Sequence, residues 1–322
     1  MRLPEWLVER GIGETRAALV ERGEIIEARI ELEGAVPAGT VLGARLRSTG
    51  RNAVATDDQQ REYLLPPAPA GVTEGAALNI EVTREAIPGA EPWKRPLARQ
   101  TDQPPGEAPA LAELLNGRAL PFPPATSDEL ADAGWLDLLG EAQSKTVDFP
   151  GGTLRVALTP AMTLIDVDGW LEPAELAVAG AAAAAKAIRR LDISGSIGVD
   201  LPTVGGRAER QAAAAAIDAH LPSPFERTAV NGFGFVQIVR PRIRPSLLQI
   251  FDERASSAAR TLLRRSALEG PGAKRLVVSA AVATVLEAKA HWLRELERQI
   301  GGAVALRVDA AVPIFGEYAE NA

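Results

Sequence analysis

The chain has 322 residues, 35 Lys and Arg against 42 Asp and Glu for a formal charge of −7, and 46% hydrophobic content. This is the profile of a globular protein long enough for two or three domains. With no long apolar run and no basic-then-apolar leader in MRLPEWLVERGIGE, we expect it to be cytoplasmic. The absence of cysteine excludes disulfides, thiol nucleophiles and cysteine zinc sites, and having only His220 and His291 argues against a histidine metal site or a Ser-His-Asp triad. Chemistry must then rest on carboxylates, lysines and arginines, with a hard cation such as Mg²⁺ as the fitting metal.

Residues 5–33 alternate apolar and polar over two runs around Glu21-Arg22-Gly23-Glu24, which predicts a β-hairpin. Between Pro37 and Glu85 the short runs VLGARL, NAVAT, EYLLP and ALNIEVT, separated by Gly, Asp and Pro, predict a small β-barrel. From Ala86 to Thr126 proline and glycine dominate, with one brief helical stretch at APALAELLNG, so this part reads as a linker or loop-rich connection. VDFPGGTLRVALTPAMTLIDVD then supplies β-strands, followed by an alanine-rich helix over 172–191 with basic residues at its C-terminus. A strand over 194–202 that includes Asp200, a helix over 206–221 and strand material over 228–242 come next. The remainder reads helix 252–268, strand 274–281, helix 282–299 and strand 303–310. Alternating strands and helices predict an α/β layer whose strand ends gather Asp166, Asp168 and Asp200 at one edge.

The stretch 164-LIDVDGWL-171 places two carboxylates at the end of an apolar run. Such acids are costly unless paired, hydrogen-bonded or bound to a cation. Three readings are open: a plain strand-to-turn junction, a phosphotransferase loop of the haloacid-dehalogenase kind, and half of a metal site for phosphodiester hydrolysis. Context weighs against the second, because 163 residues precede the motif, Trp170 stands where Thr or Val is expected, and no acidic pair follows late in the chain. From Lys186 to Arg275 there are 15 Lys and Arg against 8 Asp and Glu, a local balance of +7, while the rest carries 20 against 34, or −14. A basic segment directly after the acidic motif suits a polyanionic substrate.

In order, these pieces resemble the ribonuclease E/G family of single-strand-specific endoribonucleases. The residues that carry the resemblance are Gly151-Gly152-Thr153, Thr163-Leu164-Ile165-Asp166-Val167-Asp168, Arg190-Leu191-Asp192-Ile193-Ser194-Gly195, Ile197-Gly198-Val199-Asp200 and the block FGFVQIVRPRIRPSL from Phe233. The resemblance implies an α+β, multi-subdomain fold. Residues 1–35 would form an RNase H-like hairpin, 36–90 an S1-type RNA-binding barrel and 91–145 a reduced connection. A DNase I-like catalytic subdomain would follow over 146–251 and a small C-terminal α/β domain over 252–322. It further implies Mg²⁺, or Mn²⁺ in its place, held by Asp166 and Asp200 with Asp168 as third or water-mediated contact. RNA cleavage would then leave 5′-phosphate and 3′-hydroxyl ends, in RNA processing or decay.

For substrate grip we expect Arg189 and Arg190 at a helix end and Arg240, Arg242 and Arg244 as a row on one side of an extended segment. Tyr63 would offer a stacking surface in the barrel, and Lys94 falls near the family's RNA-contacting lysine. Phe233 and Phe235 are expected in the core and His220 in a structural role. The departures from the family are equally specific. Asp168 stands where the family has Asn, the following loop is short, and the Arg-Thr pair that senses a 5′-monophosphate is absent. The cysteine pair of the zinc link is also missing, which removes zinc-dependent assembly and leaves a homodimer through other surfaces open. The competing reading is a non-catalytic RNA-binding relative with a retired active site.

Overall fold

The computed structural model describes residues 3–51, 53–89 and 91–321. Among them the chain forms a mixed α+β fold with three open sheets, one closed five-stranded barrel and nine α-helices. No helix among the described residues is long and apolar enough to cross a membrane.

The first sheet starts with β1 (Glu5–Arg10), β2 (Glu14–Glu21) and β3 (Glu24–Leu32), an antiparallel meander with the predicted turn at Arg22-Gly23. The expected hairpin is thus three strands, because the Gly11–Gly13 turn divides its first run. A side chain at Gly13 would meet the Trp292 ring at 2.5 Å, so this turn is held tightly against the C-terminal part of the chain. The barrel follows as β4 (Val41–Ser48), β5 (Ala53–Thr56), β6 (Glu62–Leu65), β7 (Ala77–Arg84) and β8 (Leu97–Thr101), closed in the order β4-β5-β6-β8-β7. Its interior is filled by Leu46, Ala53, Ala55, Tyr63, Leu65, Ile80, Val82 and Ala98. Paired backbone hydrogen bonds of 2.9 Å between Val41 and Gly106 bring the entrance and exit of the barrel together.

The linker that Pro and Gly content suggested over 86–126, and the wider reduced connection over 91–145, both contain regular structure. The segment 91–145 supplies the closing strand β8, the short helices α1 (Leu111–Leu114) and α2 (Glu129–Asp132), and β9 (Arg118–Leu120), which adds to β1 in parallel. Its last helix, α3 (Trp135–Ser144), buries Trp135, Leu138, Leu139 and Ala142 in the main core. Apolar residues at helical spacing decided this outcome locally, where glycine and proline counts did not.

The central sheet contains β10 (Thr146–Phe149), β11 (Gly152–Leu158), β12 (Thr163–Gly169), β13 (Gly195–Asp200), β14 (Glu226–Arg227) and β15 (Phe235–Arg240), in the order β10-β11-β12-β13-β15-β14. Only β12 and β13 run parallel, joined by helix α4 (Pro173–Arg190); α5 (Arg207–His220) follows β13. One face is a continuous apolar layer of Leu154, Val156, Ile165, Val167, Ile197, Val199, Val236 and Ile238. The alternate residues of the inner strands point the other way, and no helix covers them: Arg155, Leu164, Asp166, Asp168 and Asp200 are all exposed. Helix α4 lies between the apolar face and β3, and its small residues allow that close approach. A side chain on Gly180 would come within 2.3 Å of Val167.

Helices α6 (Leu247–Asp252) and α7 (Arg254–Leu268) lead into the C-terminal sheet. That sheet comprises β16 (Lys274–Val278), β17 (Val304–Val308) and β18 (Tyr318–Asn321) in the order β17-β16-β18. The expected single helix over 282–299 is instead α8 (Ala280–Ala288) and α9 (Ala290–Ile300), broken at Lys289. A buried ionic network ties α7 to the N-terminal sheet. Arg260 meets Glu14 at 2.6 Å, and Arg264 meets Glu9 at 3.0 Å and Asp128 at 2.8 Å. Arg16 joins Glu9 at 2.7 Å and Glu14 at 2.8 Å.

Candidate functional site

The three aspartates lie on the open face of the central sheet. In the parallel pair β12 and β13, Asp166 is directly opposite Asp200, which ends β13 while β12 runs on to Gly169. Neighbouring strands are about 4.8 Å apart, so the two carboxylates project side by side from adjacent backbones. Asp168 stands two residues farther along on the same face. Its position is fixed by backbone packing, because a side chain on Gly152 would come within 2.2 Å of the Asp168 carbonyl oxygen, and one on Gly169 within 2.3 Å of the Gly151 oxygen. The glycine pair of the sequence thus has a local reason: two strand ends approach backbone to backbone.

Arg155, on β11 opposite Asp166, reaches Asp168 at 3.0 Å with both side chains exposed. Partial burial, then the charges of Asp168 and Asp200, push the Asp166 carboxyl above its ordinary value of 3.8, while Arg155 pulls it back. A carboxylate placed beside two others in this way also favours a hard cation with oxygen ligands. Asp166 and Asp200 fit that role. Asp168 is engaged by Arg155, and no group of three or more His, Asp or Glu placed to hold a metal occurs among the described residues. Asp168, the third expected ligand, thus shares its carboxylate with an exposed arginine beside the Asp166 and Asp200 pair.

The basic residues expected to track phosphates sit elsewhere. Gly195 at the start of β13 pairs with Arg240, whereas Asp200 at its end pairs with Phe235. The arginines therefore gather about 17 Å from the carboxylates, by the rise of five strand residues. Arg240 donates to the backbone oxygens of Ile193 at 2.8 Å and Ile188 at 3.4 Å, and Arg242 to that of Ser194 at 3.1 Å. These contacts satisfy carbonyls around the end of α4. Arg244 lies 3.6 Å from Asp192 and also faces Glu31 and Glu85. The expected row fails because β15 ends at Arg240, so the next two arginines turn inward with the loop. Arg189 pairs with Glu27 at 3.4 Å and Arg190 with Glu141 at 2.5 Å. The positive balance of the segment is thus largely consumed in intramolecular ion pairs and carbonyl contacts.

Tyr63 is fully buried in the barrel and donates to Asp57 at 3.0 Å. Burial, then that hydrogen bond, raises its pKa, and no face is left for stacking. Lys94 is partly exposed in a short 3-10 turn (Pro92–Lys94), 3.0 Å from Glu91. His220 is exposed at the end of α5.

Exposed aromatics are what the sequence reading missed. Phe233, expected in the core, is 82% exposed, and Trp170 is 77% exposed. Phe233 lies in Asn-Gly-Phe-Gly, a turn, and an apolar residue between two glycines after Asn has no strand periodicity to place it inside. That was the available signal. Phe235 is half-buried, its ring against Gly198 on the open face, where a side chain at position 198 would come within 2.5 Å of it. Trp93 is also 60% exposed, beside Lys94.

No protein-family model matches the chain, and no curated protein matches it.

Proposed function

We propose that the chain is a Mg²⁺-dependent endoribonuclease acting on single-stranded RNA, a shortened relative of the ribonuclease E/G family. The observation that carries this reading is the register of Asp166 against Asp200 on two neighbouring parallel strands, on a solvent-open face. In this reading the central sheet corresponds to the DNase I-like catalytic subdomain, and the first sheet to the RNase H-like element. The barrel corresponds to the S1-type domain, and its five strands in the order β4-β5-β6-β8-β7 suit that assignment.

The carboxylates of Asp166 and Asp200 would hold the cation, Mg²⁺ or Mn²⁺. When bound, such an ion supplies an acidified water and charge stabilisation at a phosphate oxygen. Asp166, whose proton affinity its neighbours raise, would position the attacking water by hydrogen bonding. Arg155, paired with Asp168 at 3.0 Å and opposite Asp166, would be a cation available to a phosphate bound at this face. Products would carry 5′-phosphate and 3′-hydroxyl ends. The test is cleavage of a labelled single-stranded RNA with Mg²⁺ and with EDTA, beside the Asp200→Asn protein. Magnesium-dependent cutting that the variant lacks supports the reading; equal cutting by the variant refutes it.

One observation favours a second reading, an RNA-binding protein without catalysis. The ion pair of Asp168 with Arg155 at 3.0 Å competes with a cation for the third expected ligand. RNA binding without cleavage at any divalent metal concentration would decide for it.

A further inference from the structure

We propose that Trp170 and Phe233 form a nucleobase-stacking clamp that holds single-stranded substrate at the strand-end edge beside the Asp166–Asp200 pair. The inference rests on the reading of this face as an RNA site and adds the groups that would select unpaired bases. Both side chains are among the most exposed large apolar groups of the described chain, at 77% and 82%. Both occupy the same edge of the sheet. Trp170 follows Gly169 at the C-terminal end of β12, and Phe233 precedes the N-terminal end of β15, which runs antiparallel to β13. With β13 between them, the two backbones are two strand spacings apart across the sheet and two residues apart along it, about 12 Å. That separation is between three and four base steps of about 3.4 Å, so two stacked bases fit between rings so placed.

The rings are exposed on a backbone that is not free to retract them. The Phe233 amide donates to the Asn231 side chain at 2.9 Å, and its carbonyl accepts from the Thr203 hydroxyl at 3.1 Å. Gly234 follows at φ +91, with its carbonyl accepting from the Leu201 amide, and a side chain there would come within 2.1 Å of the Leu201 oxygen. The Trp170 amide donates to the Gly151 carbonyl at 3.1 Å. On the side of the rings toward the strands lie the carboxylates and, beyond them along β12, Leu164, which with Phe235 packs over Gly198. Fixed aromatic faces bind any base through its π surface, independently of sequence, and require that base to be unpaired. The expected row of arginines is absent from this edge, so stacking has to supply grip that phosphate contacts do not.

The experiment uses the full chain, with Trp170→Leu and Phe233→Leu, at exposed positions where folding is readily verified by thermal melting. Binding of a labelled single-stranded RNA of about 12 nucleotides is measured in EDTA, so that the strand stays intact, beside an abasic oligomer of equal length. Each substitution should weaken RNA binding roughly 5- to 100-fold, the range for loss of one base stack, and leave abasic binding unchanged. RNA should quench tryptophan emission in the parent and fail to do so in Trp170→Leu. Variants within twofold of the parent, a parent that does not bind RNA, or equal losses on the abasic oligomer would overturn the clamp. So would self-association of the parent that the variants abolish while RNA binding stays intact, which would assign the rings to a contact between copies. If the parent cleaves with Mg²⁺ and the variants bind normally, the clamp falls and the nuclease reading stands. If nothing cleaves but the variants lose binding, the reverse holds.

Discussion

Replacing Glu9 by Ala tests whether the buried ionic network joins the N-terminal sheet to α7. Glu9 is 2% exposed and accepts from Arg16 at 2.7 Å and from Arg264 at 3.0 Å through both of its oxygens. Its removal leaves two buried guanidiniums short of charge, for which the range is about 3–5 kcal/mol. Each keeps one partner, Glu14 for Arg16 and Asp128 for Arg264, so the lower end, about 3 kcal/mol, is expected. The assay is urea unfolding followed by far-UV circular dichroism and by tryptophan emission, which reports Trp292 in the C-terminal core among other sites. Adding Arg264→Ala completes a cycle. Because the doubly substituted protein retains the Arg16–Glu14 pair, a coupling of about 2 kcal/mol is expected. A cost for Glu9→Ala below about 1 kcal/mol, or a coupling within about 0.5 kcal/mol of zero, would refute the network as the tie between these parts.

Burial pushes the Glu85 carboxyl up to about 7 from an ordinary 4.5, with Arg244 opposing. Its stabilising contribution is therefore present below pH 4.5 and lost as pH rises through about 7, an effect bounded by about 3 kcal/mol. Glu85→Gln should raise the melting temperature at pH 8 and flatten its pH dependence; an unchanged profile would count against this. Burial tends to raise Glu14 and Asp128 as well, but their arginine partners outweigh it and hold both below their ordinary values of 4.5 and 3.8. Their contribution is present above those values and should disappear as pH falls further, seen as acid unfolding that Arg260→Ala moves to higher pH. Arg155→Ala releases Asp168 and removes a cation facing Asp166, so the Asp166 resonance should titrate at higher pH and Mn²⁺ should bind more tightly. Weaker Mn²⁺ binding would make Arg155 a supporter of the site instead of a competitor. Tyr63→Phe should cost about 1 kcal/mol through loss of the bond to Asp57 without altering RNA affinity, and a drop in affinity would restore a surface role for the ring.

The strands and helices of residues 146–251 were legible because their signals are local: alternation in LIDVDGWL and SGSIGVD, and an alanine-rich helix between them. Alternating strands and helices suggested that strand ends would gather Asp166, Asp168 and Asp200 at one edge, but the pairing of β12 with β13 that sets Asp166 against Asp200 is tertiary and no local signal carried it. The arginines were not legible either. Residue spacing placed Arg240, Arg242 and Arg244 on one side of an extended strand, but the strand ends at Arg240, and the carbonyls at the end of α4 recruit the side chains inward. The closing strand of the barrel was hidden by proline around a five-residue segment. Its pairing partners, β6 and β7, lie outside any local window. Phe233 shows the opposite bias, since hydrophobicity suggested the core while two flanking glycines had already removed it from any strand.

The hydrogen-bonded bridge between Val41 and Gly106 gives the barrel the geometry of a cassette. The chain leaves the first sheet, builds a closed unit with its own interior, and returns beside its point of departure before β9 completes that sheet. Cutting at those two positions and joining them through a short loop should leave the first sheet, the central sheet and the C-terminal unit intact. A different barrel could then be grafted in its place. Under the proposed nuclease reading, such an exchange would ask what the barrel adds to substrate choice, with one cassette varying while the carboxylate face stays fixed.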